Sequence, residues 1–171
     1  MLETKRLIIK PLTQSQLLKY IKLDNTLETE FGLPESSRTI SPELLEALEN
    51  TILPNVADTR KNYLFSTLWT IISKEENKMV GDLCFVGEPN DKGEVEIGYG
   101  TYPEFQGRGF MTDAVGILIQ WAGKQSSVKA VVASTAKNNP ASYSVLIKNN
   151  FKKTGETDEL YKWKFAYNKR V

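Results

Sequence analysis

One stretch of this chain limits what the rest can be. From Glu94 to Thr101 apolar and polar residues alternate, with Val95, Ile97 and Tyr99 on one side and Glu94, Glu96 and Gly98 on the other. That two-residue period belongs to a strand that buries one face. Pro103-Glu104-Phe105 ends it, and Gln106-Gly107-Arg108-Gly109-Phe110-Met111-Thr112 follows. From Gly109 onward Met111, Ala114, Val115, Leu118, Trp121 and Ala122 recur at the spacing of an amphipathic helix. The first N–H groups of such a helix lack intrahelical partners. Gly107 and Gly109 allow a tight turn and leave those groups uncovered by side chains. With the helix dipole added, the segment is a ready anion site, most naturally for phosphate. Arg108 is placed to add a charge-assisted contact.

The flanking segments read as follows. Arg6-Leu7-Ile8-Ile9-Lys10, closed by Pro11, is a first strand. Thr13 caps a helix over Leu17, Leu18 and Ile21. Ser41 and Pro42 start a second helix, in which Leu44, Leu45, Leu48 and Ile52 keep the helical period. Residues 68–72 and 79–85 form a hairpin through Lys74-Glu75-Glu76-Asn77-Lys78. Residues 128–134 are a buried-type strand. Asn139-Pro140 opens another helix that ends near Asn149-Asn150. Residues 151–155 and 160–167 close the chain as a strand pair. The order β-α-α-β-β-β-α-β-α-β-β predicts an α+β domain with a mixed sheet and about four helices, not a doubly wound α/β fold. No repeat, low-complexity tract or linker divides residues 1–171, so one domain is expected.

Composition narrows the chemistry. The 171 residues include no histidine and one cysteine. That excludes a Ser-His-Asp triad, a Cys-His pair, a His-ligated metal, a Cys-rich metal site and an intramolecular disulfide, so no metal is expected. The net charge of +1 is uneven: residues 24–51 carry net −6 and residues 104–171 net +6. This is what solvated faces look like; read functionally, the basic part meets an anion and the acidic segment a cation. A nucleic-acid binder would carry a clearer basic excess than a pI near 7.7. The longest apolar run, around Val115 to Ile119, is far shorter than the roughly 20 residues that span a bilayer. Met1 to Arg6 is charged, so no signal peptide and a cytoplasmic location are expected.

Three phosphate-binding patterns compete for residues 106–112. A P-loop would need G-x-x-x-x-G-K-[ST], which the chain lacks. A dinucleotide fingerprint would need a third glycine where Thr112 stands, and an acidic residue ending the next strand, which ends in Ser134-Thr135. The third is the [QR]-x-x-G-x-[GA] pyrophosphate loop of acetyl-CoA-dependent N-acetyltransferases, whose positions fall on Gln106, Gly109 and Met111. Taken alone, so short a pattern fits a plain glycine turn capping a helix at least as well.

It does not stand alone. Leu2-Glu3-Thr4-Lys5-Arg6-Leu7-Ile8-Ile9-Lys10-Pro11-Leu12, the blocks Glu96-Ile97-Gly98-Tyr99 and Pro103 to Ala114, and Asn139-Pro140-Ala141-Ser142 followed by Leu146 to Phe151 occur in order over nearly the full chain. Together they resemble the GNAT superfamily of N-acetyltransferases, and within it the branch of ribosomal-protein N-terminal (alanine) acetyltransferases. Three residues depart from the branch pattern. Met111 replaces a small residue, Asn150 replaces a glycine, and Gly100 stands where a bulky aromatic is common, which opens the acetyl or substrate region.

The resemblance implies an acyl-CoA N-acyltransferase fold with a mostly antiparallel sheet. The strands at 94–101 and 128–134 would run parallel and splay apart around acetyl-CoA. The pantetheine arm would pair with backbone near Thr101, and the pyrophosphate would sit on Gln106, Gly107, Arg108, Gly109, Phe110, Met111 and Thr112. Asn139 and Ser142 match positions near the cofactor sulfur, although an N-cap and a small helix residue describe them too. The implied reaction is direct attack of a primary amine on the thioester. The amine must first lose a proton; strand N–H groups stabilise the oxyanion. The leaving thiolate, with a pKa of about 8.5 by analogy with cysteine, needs less help.

Glu96 matches the family glutamate that acts as base through water, with Glu94 on the same face; both also read as solvated strand residues. The family's tyrosine acid falls on Leu146, which leaves Ser142 as the candidate proton donor. Tyr143 belongs to another face of that helix. Cys84 reads as a small buried hydrophobe, Trp69 and Trp121 as core aromatics, and Trp163 as structural in the last hairpin. The acceptor would be a protein N-terminus or a small amine such as a polyamine or aminoglycoside, selected within residues 24–66 by a monomer or homodimer. The competing reading is a non-catalytic acyl-CoA-binding or sensing module on the same fold.

Overall fold

A computed structural model of the protein describes residues 1–168. Eight strands form one sheet in the order β1-β2-β3-β4-β5-β6-β8-β7. They are β1 (Leu2–Glu3), β2 (Leu7–Pro11), β3 (Leu68–Ser73), β4 (Lys78–Phe85), β5 (Glu94–Thr101), β6 (Ala130–Ala136), β7 (Lys152–Glu156) and β8 (Leu160–Ala166). Every neighbouring pair is antiparallel except β5 and β6. The expected α+β fold with a parallel pair inside a mostly antiparallel sheet is what forms.

The helices start where the capping residues dictate. α1 (Gln14–Lys22) opens with a reciprocal cap: the Gln16 N–H donates to Thr13 Oγ1 and the Thr13 N–H donates to Gln16 Oε1. α3 (Pro42–Ala47) is capped by Ser41. It runs on through a π-helical stretch, Leu48–Ile52, into α4 (Leu53–Ala57). α5 is Phe110–Gly123, and α6 is Pro140–Lys148 with Asn139 as N-cap. A further short helix, α2 (Thr26–Glu30), makes five helical rods where about four were expected. It was illegible because Asn25 enters it at φ 63° with no side-chain cap bond; burial of Leu27 and Glu28 holds it. Likewise β6 lies two residues later than expected. The Lys129 and Ala130 N–H groups both donate to the Gly93 carbonyl, so strand pairing starts at Glu94 opposite Ala130. It extends to Ala136 because β8 continues alongside.

Two cores flank the sheet. On one face α5 and α6 pack Met111, Ala114, Val115, Leu118 and Leu146 against Val95, Ile97, Val131 and Ala133. Trp69 is fully buried there, with Trp121 at 5.3 Å from its ring, and Trp163 ties β8 to β6 through its Nε1–H to Thr135 Oγ1. On the other face α1 to α4 place Leu17, Tyr20, Leu27, Leu48 and Ile52 over Leu68, Ile72 and Met79. This second layer covers β2 to β4 and contains a buried ion pair. Arg38 Nε meets Glu28 Oε1 at 2.8 Å with both side chains 3% exposed, and the guanidinium lies 4.3 Å from the Tyr20 ring. Burial opposes ionisation of Glu28, but the Arg38 guanidinium outweighs it and holds the carboxyl below its ordinary range. Glu30 is bound by Lys19 and Gln16. Part of the acidity of residues 24–51 is therefore spent inside the fold, while Glu35, Glu43, Glu46 and Glu49 stay exposed.

Under this layer lies Asp82 of β4, 5% exposed. Its Oδ2 accepts hydrogen bonds from Tyr20 at 2.6 Å and Tyr102 at 2.8 Å. Its Oδ1 and the hydroxyl of Thr70, directly across the strand pair, are buried without hydrogen-bond partners. Burial pushes the carboxyl pKa up to about 6, against the pull of the two tyrosine hydroxyls. A raised acid pKa stabilises the fold below the unfolded value, and that stability is lost as pH rises through the folded value. Ionised Asp82 thus costs about 3 kcal/mol at neutral pH. Relative to D82N, the wild type should lose about 2–3 kcal/mol of unfolding free energy between pH 4 and pH 7. Urea titrations across that range check it; parallel pH profiles for the two proteins would refute it.

Candidate active site

β5 and β6 pair over three residues only, Glu94 with Ala130, Val95 with Val131 and Glu96 with Val132. Beyond that point each strand follows its outer neighbour. β5 stays with β4 from Ile97 to Thr101, and β6 stays with β8 to Ala136. The facing edges of β5 and β6 therefore diverge and present backbone N–H and C=O groups to the opening between them. The expected splay is present, and it begins one residue after Glu96.

On the helical face the opening continues into a cleft of about 430 Å³ lined by Tyr99, Gly100, Thr101, Phe105, Gln106, Gly107, Gly109, Phe110, Met111, Thr112, Asn139, Ser142 and Lys148 among others. Gly107 and Gly109 adopt φ of 75° and 78°, the left-handed region that side chains disfavour. Gly109 is the N-cap of α5 and supplies no side-chain cap bond. The first amides of a 14-residue helix are thus left to the cleft. Gln106 Nε2–H reaches the Thr101 carbonyl at 3.4 Å and ties the loop to the strand end.

Arg108 departs from expectation. Its side chain meets Glu76 at 2.5 Å, lies 4.9 Å from the Phe110 ring and does not line the cleft. The loop is braced instead by Arg6, whose importance was not legible in its strand. Arg6 donates to the Arg108 carbonyl at 2.7 Å and to Asp113 at 3.2 Å, and its guanidinium lies 4.7 Å from the Phe110 ring. The basic side chain in the cleft is Lys148, in the last turn of α6. Gln106, Gly107, Gly109, Phe110, Met111, Thr112, Thr101, Asn139 and Ser142 all gather here.

At the other end of the cleft stands the first turn of α6. Asn139 Oδ1 accepts from the Ser142 N–H at 3.2 Å, so Asn139 caps this helix as read from the sequence. Ser142 Oγ donates to the Tyr99 hydroxyl at 3.4 Å, which in turn donates to the Ser142 carbonyl at 2.8 Å. Tyr99, seen in the sequence only as an inward strand residue, is the group that joins β5 to α6. Leu146 is fully buried in the core, and Tyr143 meets Tyr161 edge-on and stacks on Trp163, and does not line the cleft. Burial pushes the Cys84 thiol up to about 11, as for a small core hydrophobe.

Glu96 is on the opposite face of the sheet. It is exposed and lines a shallow groove with Glu94, Val132, Ser134, Lys162 and Lys164. Glu94 is held by Lys164 at 2.6 Å, which keeps its carboxyl below the ordinary range. The Glu96 carboxylate makes no hydrogen bond or ion pair with any described residue. The two glutamates of one strand face are therefore not equivalent: Glu94 is neutralised and Glu96 is free.

The shape fits a long ligand with an anionic group on the α5 amides and its other end between the diverging strands, as coenzyme A would require. The Arg6 brace is partly exposed, so its ion pair adds at most about 1 kcal/mol to stability. R6A should nevertheless weaken coenzyme A binding about tenfold by freeing the loop, with R6K recovering only part, since one ammonium cannot serve two acceptors and a ring face as a guanidinium does. Titration calorimetry checks this; unchanged affinity in R6A would refute the brace.

Comparison with known proteins agrees with this geometry. A curated relative, the uncharacterized N-acetyltransferase YjdG of Bacillus subtilis (strain 168), is 27% identical over 165 residues, covering 95% of this chain and 96% of its own. The ribosomal-protein-S5-alanine acetyltransferase of Vibrio fischeri superposes with a TM-score of 0.67 at 17% identity, over 98% of this chain and 97% of that one. The spermidine N-acetyltransferase of Vibrio cholerae, solved with CoA and spermine, gives 0.64 at 14% identity over 95% and 96%. The sequence pattern of the acetyltransferase (GNAT) domain matches residues 6–152, and the chain belongs to that family of acetyl-CoA-dependent N-acetyltransferases.

Proposed function

We propose that this protein transfers an acetyl group from acetyl-CoA to a primary amine in a ternary complex, with the thioester entering from the α5–α6 face and the amine from the Glu96 face. The observation that carries this reading is the three-residue parallel pairing. It ends at Glu96, so one gap is flanked by uncapped helix amides on one side of the sheet and by an unpaired carboxylate on the other.

The roles follow from what each group can do. Acetyl-CoA, when bound, supplies an acyl group already activated as a thioester. Gly107, Gly109 and the first turn of α5 hold its phosphates, with Lys148 adding positive charge. The unpaired edge of β5 near Thr101 offers backbone groups to the pantetheine arm and an N–H to the developing oxyanion. An ammonium has no lone pair, so a proton must leave the acceptor; without histidine, Glu96 is the free base on the side from which the amine comes, acting directly or through water. Ser142, on the cofactor side and oriented by Tyr99, returns a proton to the leaving thiolate. The acceptors named for the fold neighbours, the N-terminal serine of a ribosomal protein and spermidine, both offer primary amines, and we extend that class to this chain.

Thiol release from acetyl-CoA, followed with peptide N-termini and polyamines, tests the reading. E96Q should lower kcat/KM by about 100-fold, within the range for loss of a general base. Coenzyme A should still raise its melting temperature as in the wild type. S142A should lower kcat while leaving KM for acetyl-CoA in place. Stabilisation by coenzyme A with no turnover of any amine would overturn the enzyme reading in favour of a binding module.

A further inference from the structure

Gly116 lies in the second turn of α5, inside a helix, where glycine is the costliest choice short of proline. A neighbour from α6 explains it. A Cβ at position 116 would fall 3.0 Å from Oδ1 of Asn149, the residue that ends α6. That oxygen is not free to move aside. Asn149 Nδ2 donates one hydrogen to the Thr112 carbonyl at 3.0 Å and the other to the Val145 carbonyl at 2.9 Å. Two carbonyl oxygens around one terminal atom also fix which end of the amide is nitrogen, since only the NH2 group can serve both. Rotating the amide to relieve a clash at position 116 would break both bonds.

The bond joins two ends that matter to the cleft. Thr112 belongs to the first turn of α5, whose uncapped amides open there. Asn149 directly follows Lys148, which lines the same cleft and makes no ion pair or hydrogen bond with a described residue. A lysine unheld at its tip is placed by its backbone, here the last turn of α6. Among the described residues, Asn149 to Thr112 is the one hydrogen bond that ties α6 or its cap to α5. The groups suited to an anion thus come from two helices, and one polar contact fixes the two against each other. Asn149 itself does not line the cleft.

We infer that Asn149, seated on Gly116, is a positioning residue for the diphosphate of the cofactor: it holds Lys148 and the α5 amides at one spacing, so that both act on a single polyanionic ligand. This rests on the acetyl-CoA reading of the cleft and assigns a role to two residues that the reading leaves without one.

Titration calorimetry with coenzyme A reads the inference without turnover. N149A and G116A should each weaken binding about tenfold, the first by removing the amide and the second by pushing it off Thr112. Thermal melts tie the effect to this contact. G116A should lower the melting temperature of the wild type. In the N149A background it should raise it by about 2–4 °C, because alanine is the better helix former once the amide is gone. In acetyl transfer the loss should fall on KM for acetyl-CoA, with kcat at saturation held within about twofold. With S-acetyl-N-acetylcysteamine, a thioester without phosphates, kcat/KM should fall by less than about twofold. An equal loss with both thioesters, unchanged coenzyme A affinity in both variants, or a G116A effect of the same sign in both backgrounds would overturn the inference. Wild-type protein that does not bind coenzyme A would overturn the cofactor reading and this inference with it. Binding without turnover would overturn the enzyme reading alone, and the calorimetric comparison of the variants then decides the role of Asn149.

Discussion

The short parallel pairing of β5 with β6 is the constraint on which the rest depends. A strand can be zipped on both edges only while its neighbours run alongside it. Here the outer partners win: β4 holds β5 through Thr101 and β8 holds β6 through Ala136. Three residues of shared register, closing at Glu96 and Val132, are all that remains between them. The gap converts a sheet into two half-sheets with a slot between. It leaves unpaired backbone along the slot, and it gives that backbone two faces with different chemistry. α5 and α6 supply amides, Lys148 and the Tyr99–Ser142 pair on one side. The other side carries Glu96 in a groove with Glu94, Lys162 and Lys164.

The electrostatics are arranged around this division. The basic excess of residues 104–171 suggests an anion-binding half, yet its most conspicuous member in the sequence, Arg108, is bound by Glu76. The cleft is lined instead by Lys148 and the uncapped start of α5. The acidic segment is similarly selective. Glu28 and Glu30 are neutralised within the fold, whereas the exposed Glu96 carboxylate has no ion-pair partner among the described residues. An absent histidine makes this placement matter: the acyl group arrives activated, so the protein needs only a base near the amine and a proton source near the sulfur.

Much of the fold was legible because its signals are local. Thr13, Ser41 and Asn139 announced their helices, since a short polar side chain ahead of an apolar-periodic run has few other uses. The alternation of residues 94–101 assigned Glu96 and Tyr99 to opposite faces before any coordinates. The illegible parts depend on partners far away in the chain. α2 has no cap and exists because Leu27 and Glu28 are buried. Arg6 looks like any charged residue opening a strand until Arg108, Phe110 and Asp113, more than a hundred residues later, are placed around it. The Tyr20–Asp82–Tyr102 cluster joins three segments with no shared motif.

By itself the sequence determined the loop, its glycines and the helix behind it, because left-handed turns and exposed helix amides follow from residues within a few positions of one another. It determined the available chemistry too, by holding no histidine and a single cysteine. Only the tertiary structure decided which charges are free. Glu94 and Glu96 are alike in sequence, and they differ because the Lys164 ammonium closes on Glu94 at 2.6 Å and leaves Glu96 without an ion pair. It also decided how far the parallel pairing runs, since the outer partners of β5 and β6 draw the two strands apart, a matter of packing that no local pattern encodes.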